Sequence, residues 1–391
     1  MSTKSGRGGH HPTMDQVAAA AGVSRATVSR VINNAASVAP GIRDAVQRAI
    51  SQTGYVPNVA ARSLVTRRSN SVALVISEPD RPDDHSFLNR IFTDPYFGRV
   101  TAGATGALRP HDVHLVVVPT DSADHHQVVR YLRQGHVDGV LLISSSEDDP
   151  LPAQVHSLGI PAVLASRPAG PLPVSYVDVD QRFGARLAAA HLLARGCRNL
   201  ATISGPLDIP AGADRLDAFR DAVLSAPPGP APSAGSAPAE SPGSASGGSA
   251  RSAPAGSPGS APAGSDVGAG GVTIAVETGD FTRVGGEAAA HRLLDRHPDL
   301  DGLFVASDLM AEGALRALQD RGRRVPDDVA VIGFDDSSAA LECRPPLTTV
   351  RQPVEEMAAE MAQLLIAHID TPGRSPRSVI FQPTLVIRDS A

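Results

Sequence analysis

The chain has 391 residues, which is enough for two or three domains, because a single domain usually has about 100–200 residues. No apolar run reaches the ~18 residues of a membrane span, and no apolar stretch follows the polar N-terminus, so we expect neither a membrane protein nor a secreted one. The two cysteines, Cys197 and Cys343, lie too far apart for a metal or redox motif, which fits a cytoplasmic protein without a metal or other cofactor.

Charge is divided unequally along the chain. Residues 1–70 contain nine Lys or Arg and two acids, Asp15 and Asp44, so they carry +7, whereas the whole chain carries −6. The remaining residues therefore carry −13. A basic module on an acidic body is typical of nucleic-acid-binding proteins, because cationic side chains release counterions from the phosphate backbone.

The basic module starts after a tail, residues 1–12, that is rich in Gly, Ser and His and is expected to be disordered. A first helix is predicted to follow Thr13, because Thr13 and Gln16 have the spacing of a capping box. Gly22 would end this helix, and Ser24 is a natural N-cap for a second one. Two helices joined by a short turn that contains glycine are typical of the helix-turn-helix that binds DNA.

Polar, basic and small side chains are predicted to lie on the outward face of the second helix. Arg is the most common bidentate partner of guanine in the major groove, and the small Ala26 can pack against the methyl group of thymine. A third helix, Pro40–Gln52, has Ile42 and Val46 on the face that would close a small core. An amphipathic three-helix cap without a DNA role is the alternative, and the combination of capping box, turn and positive charge disfavours it. The residues predicted to contact DNA here are Thr13, Ser24, Arg25, Ala26, Thr27, Ser29, Arg30, Asn33 and Tyr55.

From residue 71 onwards, short apolar segments alternate with amphipathic ones. Continuous apolar strands that alternate with helices are typical of parallel sheets buried on both faces, so the body is predicted to be a doubly wound α/β structure. Helices are expected at Phe183–Ala194 and Met310–Arg321, among others. The clearest strand candidates are Ser71–Ile76, Val113–Val118, Gly139–Ile143, Ala162–Ala165, Leu200–Ser204, Thr273–Glu277, Gly302–Ala306 and Val329–Phe334.

One segment interrupts this alternation. From Ser225 to Ser265 every residue except Glu240 and Arg251 is Gly, Ala, Ser or Pro, so the segment cannot bury enough apolar surface to offset the entropy of ordering it. We predict a disordered low-complexity insertion over 225–271 in a surface loop. A true interdomain linker is the alternative, and the return of the strand–helix alternation after it favours the insertion.

Two stretches of the basic module resemble the headpiece of the LacI/GalR family of bacterial transcriptional regulators. They are Thr13-Met-Asp-Gln-Val-Ala-Ala-Ala-Ala-Gly-Val-Ser-Arg-Ala-Thr-Val-Ser-Arg-Val-Ile-Asn34 and Gly54-Tyr-Val-Pro-Asn-Val-Ala-Ala-Arg-Ser-Leu64. The resemblance implies a headpiece at 13–57 and a hinge helix with linker at 58–70.

In this family the hinge helix forms when two subunits meet on the operator, and the resemblance implies further DNA contacts from it. Asn58 would cap the hinge helix, Ala61 would lie against the minor groove, and Leu64 would insert between base pairs. Arg62 would contact phosphate. Ala39 departs from the family, which often has Ser as the N-cap of the third helix, so we expect a small loss of stability there.

The body, residues 71–391, resembles the periplasmic-binding-protein-like core of the same family. That core has two doubly wound subdomains, joined by three chain crossings, with a ligand cleft between them. The first subdomain would hold about 71–178 and 354–381, and the second about 179–353 and 382–391. The matching stretches are Asp94-Pro-Tyr-Phe97, Val177-Asp-Val-Asp180, Ala306-Ser-Asp-Leu-Met-Ala311, Gly333-Phe-Asp-Asp336 and Pro346-Leu-Thr-Thr-Val350.

The resemblance also implies which residues bind the effector. Arg215 matches the effector arginine, Phe281 the aromatic that stacks on the ligand, and Asp335 the carboxylate that accepts from ligand hydroxyls. Each also has an ordinary structural interpretation, as a surface ion pair, a core side chain or a loop cap. Two departures, Ser307 where the family usually has Asn and Ser166 where it often has Asp, leave the identity of the effector open. The full predicted set is Tyr96, Phe97, Ser166, Arg215, Phe281, Ser307, Asp308 and Asp335.

We therefore expect a homodimeric, sequence-specific regulator, a repressor of carbohydrate-utilisation genes, whose affinity for a palindromic operator changes when a small polar ligand, a sugar, binds the cleft. A nucleobase co-repressor and a solute-binding protein without regulatory activity are the alternatives. No enzyme is expected, because the sequence has no Gly-x-Ser-x-Gly elbow, no phosphate-binding Gly loop and no visible set of nucleophile, base and orienting residue. The histidine pairs, such as His125-His126, are interpreted as surface residues.

Overall fold

The computed structural model describes residues 12–32, 35, 37–55, 68–78, 91–144, 146, 148–226, 266–267 and 271–391. These residues form two compact units: an N-terminal unit up to Ser71, with Gly135–Asp138, and a body of Val72–Gln134 and Gly139–Ala391. No helix within the described ranges is both long and apolar enough to cross a membrane.

Three helices make up the N-terminal unit: α1 (Met14–Ala21), α2 (Arg25–Ile32) and α3 (Pro40–Thr53). Their core consists of the buried side chains Val17, Ala18, Val28, Val31, Val46 and Ala49, with Ile50 and Tyr55 packed partly against it. The predicted core position of Ile42 is wrong, because its side chain is 40% exposed in the first turn of α3, beyond the side chains that cover Val46.

The body contains two sheets, and the first has six strands. Its order is β12-β5-β4-β3-β1-β2, and the pairs β1–β3, β3–β4, β4–β5 and β5–β12 are parallel. The strands are β1 (Ser71–Glu78), β2 (His114–Asp121), β3 (Gly139–Ser144), β4 (Ala162–Leu164), β5 (Ser175–Val179) and β12 (Ser378–Phe381). The helices of this half are α4 (Pro95–Leu108), α5 (His125–Arg133), α6 (Leu151–Ser157) and α12 (Val354–Asp370).

The second sheet has seven strands in the order β13-β11-β10-β9-β6-β8-β7, parallel except for the outer pairs β11–β13 and β7–β8. The strands are β6 (Asn199–Ser204), β7 (Asp266–Val267), β8 (Thr273–Thr278), β9 (Gly302–Val305), β10 (Ala330–Asp335), β11 (Thr348–Arg351) and β13 (Thr384–Val386). The helices are α7 (Gln181–Ala194), α8 (Pro210–Leu224), α9 (Arg283–Arg296), α10 (Asp308–Asp320) and α11 (Ser338–Glu342).

The chain passes between the two sheets three times: after β5, after β11 and after β12. The central strands form from runs of apolar residues, which are buried on both faces of the sheet. β1, for example, buries its six inner residues completely or nearly so, as expected for a strand covered on both faces. The predicted doubly wound α/β class is confirmed. Because ligands bind at the carboxyl ends of parallel strands, the ends of these strands are where a site is expected.

The strand candidates from the sequence did not include β5, β7, β11, β12 or β13, whereas the outer strand β2 was among them. β12 is only partly buried and its apolar run is three residues long, and β7 has two residues. β7 also corrects the predicted insertion 225–271, because Asp266 and Val267 pair with Ile274 and Thr273 in a short antiparallel hairpin, which costs little loop-closure entropy. The stretch 227–265 lies outside the described residues, as do residues 1–11 of the predicted tail.

Candidate functional site

The start of α2 presents the predicted DNA-contacting side chains. Ser24 caps the helix, since its Oγ accepts from the backbone N–H of Thr27 at 3.1 Å. Val28 and Val31 face the core, which leaves Arg25, Ala26 and Arg30 exposed. This is the arrangement that lets a helix place its N-terminal residues against base edges.

Other predicted DNA contacts lie around α1 and α3. Thr13 is exposed and forms the predicted capping box: its N–H donates to Gln16 Oε1 at 2.7 Å, and its Oγ1 accepts from the Gln16 N–H at 3.4 Å. Thr27 and Ser29 are half-buried on α2, and Tyr55 packs partly against the core. The remaining predictions, Asn33, Asn58, Ala61, Arg62 and Leu64, lie outside the described residues.

One of these side chains, Arg25, forms an ion pair with Asp15. Arg25 Nη1 lies 3.7 Å from Asp15 Oδ2, and both side chains are about two-thirds exposed, at 68% and 67%. Exposed pairs of this kind contribute only ~0–1 kcal/mol, so Arg25 can exchange Asp15 for another acceptor at little cost.

A cavity of about 350 Å³ lies between the two sheets of the body. Its size falls within the roughly 300–1,000 Å³ that is usual for small-molecule sites. Seven of the eight predicted effector residues line it: Tyr96, Phe97, Ser166, Arg215, Phe281, Ser307 and Asp335. Six acidic side chains line it as well: Glu78, Asp94, Asp178, Asp214, Asp280 and Asp335.

Arg215 is the central cation of this cavity. Its side chain is 5% exposed, its Nε donates to Gln181 Oε1 at 2.8 Å, and its Nη1 donates to the carbonyl of Ala306 at 2.5 Å. Nη1 also lies 3.8 Å from Asp335 Oδ1, and the guanidinium stacks 3.6 Å above the ring of Phe334. Burial lowers the pKa of Arg215, and the carboxylate of Asp335 opposes that shift. Arg215 is therefore held in place on every side except the cavity.

Asp335 ends β10 and directs its carboxylate into the cavity. Gln352 Nε2 donates to Asp335 Oδ1 at 2.5 Å, so two side chains from different elements orient it. Burial raises the pKa of Asp335, while the positive charge of Arg215 lowers it. A carboxylate fixed this way offers its remaining lone pairs to ligand hydroxyl groups.

Phe281 supplies an aromatic wall. Its backbone has φ +65°, a left-handed conformation, and its N–H points at Met310 Sδ at 3.3 Å. Gly205, just after β6, makes room for the ring, because a Cβ there would lie 2.1 Å from a ring atom. The close packing of Gly205 fixes where the ring stands in the cavity wall.

Two further carboxylates line the cavity from the first half of the body, Asp94 at the start of α4 and Asp178 on β5. Asp94 caps α4 by accepting from the Tyr96 N–H at 2.9 Å, and burial raises its pKa to about 7. Asp178 accepts from the N–H groups of Arg167 and Val179 at 3.1 and 2.8 Å, and burial raises its pKa also. Near neutral pH, Asp94 therefore exchanges between a hydrogen-bond donor and an acceptor.

Asp308 does not line the cavity, which does not support its predicted contact with the effector. Its carboxylate is fully buried behind the wall, accepting from Thr349 Oγ1 at 2.5 Å and the Ser337 N–H at 2.7 Å, and burial raises its pKa. Its neighbour Ser307 lines the cavity and also caps α10, accepting from the Met310 N–H at 3.2 Å.

Sequence reasoning missed Gln181 and Gln352, which orient Arg215 and Asp335. Gln352 directly follows β11, so its place at the carboxyl end of a parallel strand was a usable signal. Gln181 begins α7, just after Asp180, and stands at the equivalent end of β5.

The histidine interpretation was wrong for His125, which is 6% exposed. Its Nε2 lies 3.0 Å from Ser77 Oγ and its Nδ1 3.8 Å from Asp149 Oδ1, a Ser–His–Asp order that the sequence did not reveal. Ser77 is 1% exposed, and none of the three residues is among those that line the cavity.

One group of side chains in the described ranges has ligand atoms close enough to share a metal ion. Glu287, His291 and Asp320 bring theirs within 4.8 Å of one another. Asp320 is 64% exposed, and acidic groups at a surface commonly lie this close without a metal, so we assign none.

Three family descriptions match the chain. "Bacterial regulatory proteins, lacI family" matches residues 13–58, and "Periplasmic binding proteins and sugar binding domain of LacI family" matches residues 86–227. "Periplasmic binding protein-like domain" matches residues 189–391.

Characterised relatives match nearly the full length. The chain is 41% identical over 383 residues to the HTH-type transcriptional regulator CelR of Thermobifida fusca, covering 97% of this chain and 98% of that protein. It is 30% identical over 395 residues to the HTH-type transcriptional regulator DegA of Bacillus subtilis, covering 97% of each.

Solved structures are similar as well. The transcriptional regulator CelR–cellobiose complex superposes with a TM-score of 0.66 at 38% identity, covering 97% of this chain and 100% of that one. The lac repressor dimer bound to operator and the anti-inducer ONPF superposes with a TM-score of 0.74 at 21% identity, covering 97% and 98%. At 21% identity, the likeness to the lac repressor structure supports the fold alone.

Proposed function

This chain belongs to the lacI family of bacterial regulatory proteins, and on that premise we propose that it is a repressor whose operator affinity changes when a sugar binds the cleft. The observation that carries the proposal is the arrangement of Arg215, Asp335 and Phe281 around one cavity. Sugars need charged groups for their hydroxyls and a flat apolar face for their C–H groups, and these residues provide both.

The proposed effector is a β-linked glucose disaccharide such as cellobiose. The CelR regulator whose solved complex contains cellobiose is 38% identical to this chain. Ser166 and Ser307, which line the cavity, are shorter than the Asp and Asn usual at these positions, so they leave more room for a second sugar ring.

The proposed DNA partner is a palindromic operator, read by two copies of the chain. Two copies related by a two-fold axis match the two half-sites of a palindrome. A cytoplasmic location is part of this proposal, because a bacterial regulator acts on chromosomal DNA there.

Selection of bound sequences from random DNA, followed by titration of the selected operator, tests the DNA half. Arg25→Ala should weaken operator binding by roughly 5- to 150-fold, since one bidentate base contact is worth ~1–3 kcal/mol. Arg48→Ala is the matched control, an equal loss of charge on α3. Both variants should keep their affinity for the sugar. Equal binding of operator and random DNA by the unaltered protein would overturn the regulator proposal and favour a solute-binding protein.

Calorimetric titration with cellobiose, ribose, galactose and guanine tests the sensing half. Cellobiose should bind with the greatest affinity and should change the operator Kd. A lower operator affinity identifies an inducer and a higher one a co-repressor. Preferential binding of guanine would overturn the sugar proposal in favour of the nucleobase alternative.

A further inference from the structure

Arg99 joins three segments of the chain beside the cleft. It lies on α4, and its Nε and Nη2 donate to the two carboxylate oxygens of Glu355 at 2.7 Å each. Its Nη1 donates to the backbone carbonyl of Asp335 at 3.0 Å, and its Nη2 to that of Gln352 at 3.3 Å. The side chain is 20% exposed, so these bonds are partly shielded from water. A planar guanidinium can make this set of bonds at once, whereas an ammonium cannot.

The backbone that Arg99 holds is unusual. Asp335 has φ +118° and Asp336 φ +53°, strained conformations for an L-residue that persist only when the surroundings hold them. Arg351 and Arg388 each donate to the carboxylate of Asp336 at 2.6 Å. These two arginines belong to the second half of the body, whereas Arg99 reaches Asp335 from a helix of the first half.

Both carbonyls that Arg99 binds belong to residues whose side chains line the cavity. On the other side of the cavity, α4 itself contributes Tyr96 and Phe97, and Asp94 caps its N-terminus. Arg99 therefore connects the two walls of the binding site through one side chain.

We propose that Arg99 is a positioning residue that fixes the Asp335 carboxylate relative to the α4 wall, and thereby sets both effector affinity and the effector's influence on DNA binding. The inference rests on the proposed function. A ligand that bonds to both walls binds best when the distance between the walls matches its size. It changes operator affinity only by as much as its own affinity differs between the arrangements of the two halves of the body. A bond that spans the halves stabilises one arrangement, so its loss changes the coupling between the two sites.

Titrations of full-length variants test this proposal. Arg99→Gln should raise the Kd for cellobiose about tenfold and should reduce the change that saturating cellobiose makes in operator Kd by about threefold. Glu355→Gln keeps the bond from Arg99 to Asp335 and should have a smaller effect, about two- to threefold on cellobiose. Arg324→Gln is the matched control, because Arg324 makes the same two-pronged contact with Asp328 at the surface, away from the cavity, and should leave both quantities unchanged.

The exchanged pair, Arg99→Glu with Glu355→Arg, separates positioning from a simple ion pair. It rebuilds the ion pair but removes the donor on α4 that reaches Asp335. The melting temperature should therefore return from that of Arg99→Gln towards the value of the unaltered protein, while the affinity for cellobiose stays as low as in Arg99→Gln. Recovery of cellobiose affinity along with stability would overturn the proposal, as would unchanged affinity and coupling in Arg99→Gln. If the unaltered protein binds neither cellobiose nor the other sugars, the proposed function fails first, and this inference fails with it.

Discussion

Helix α2 of the N-terminal unit and the cleft of the body place arginine in opposite environments. Arg25 is 68% exposed with one weak ion pair, whereas the Arg215 side chain is 5% exposed and is bonded to groups from three elements. An exposed side chain can be judged from its own place on a helix. The role of a buried side chain depends on the groups bonded to it. Substitutions in the cleft should therefore disturb several residues, whereas substitutions in the N-terminal unit should have local effects.

The largest effect is expected at Arg215. Arg215→Gln removes the cation beside Asp335, and breaking a buried pair costs about 3–5 kcal/mol, so the free energy of unfolding of the body should fall by that amount. Cellobiose binding should be lost as well. Urea unfolding measures the first and calorimetry the second. Arg324→Gln, which opens an exposed and solvent-screened pair with Asp328, should change the free energy of unfolding far less. Equal losses of unfolding free energy in Arg215→Gln and Arg324→Gln would contradict the expected contrast between buried and exposed arginines.

An intermediate effect is expected at Gly205. In Gly205→Ala the new Cβ would overlap the Phe281 ring, and overpacking of this kind costs about 1–3 kcal/mol. The displaced ring should weaken cellobiose binding about tenfold. Gly106→Ala is the control, because nothing lies within 4 Å of its Cβ position and alanine favours a helix. Thermal unfolding and calorimetry of both variants would show whether Gly205 sets the position of the Phe281 ring. Unaltered sugar affinity in Gly205→Ala would contradict this role.

A pH dependence is expected from Asp94. Its pKa is about 7 in the folded protein, above the usual value near 3.9 of an unfolded chain, so folding favours its protonated form. The wild-type protein should lose stability as pH rises from about 4 to about 7, and Asp94→Asn should not lose that part of it. Asn also caps helices well, so α4 keeps its N-cap. Melting temperatures at pH 5, 6, 7 and 8 should show a gap between the two proteins that widens up to pH 7. A constant gap would contradict the assignment.

The smallest effect is expected at Ala39 in the N-terminal unit, which precedes α3 and makes no side-chain cap bond. Ala39→Ser should stabilise α3 by about 0.5–1 kcal/mol. Ala19→Ser makes the same chemical change on exposed α1 and should give no gain. Hydrogen exchange of α3 amides measures both, and the sugar affinity of either variant should match that of the wild type. A change in sugar affinity would show that effects in the N-terminal unit are not local.

The same contrast explains what the sequence could predict. The bounds of α1 and α3 follow from Thr13, Gly22 and Gly54, because capping depends on residues within one turn. The family resemblance pointed to Ala39 as the N-cap position of α3, and no side-chain cap bond is present there.

In the cleft, the resemblance to known regulators identified Arg215 and Asp335, but no local pattern shows what holds them. Arg99 bonds to Glu355, which is 256 positions away, and Asp308 turns inward because Thr349, 41 positions on, donates to it. Partners so distant in sequence become visible only once the sheets are assembled.

The final strands have a consequence for the order in which the molecule folds. β12 joins the first sheet beside β5, with Arg377 bonded to Ser175 202 positions earlier, and β13 closes the edge of the second sheet. Neither sheet is complete until residues 378–386 have been synthesised. During translation the three-helix unit can therefore fold early, whereas both halves of the body must wait for the same late segment and then form together. Contacts of such long range make folding slow and leave apolar strands exposed in the meantime, so assembly of the sensing body is where a chaperone would matter most.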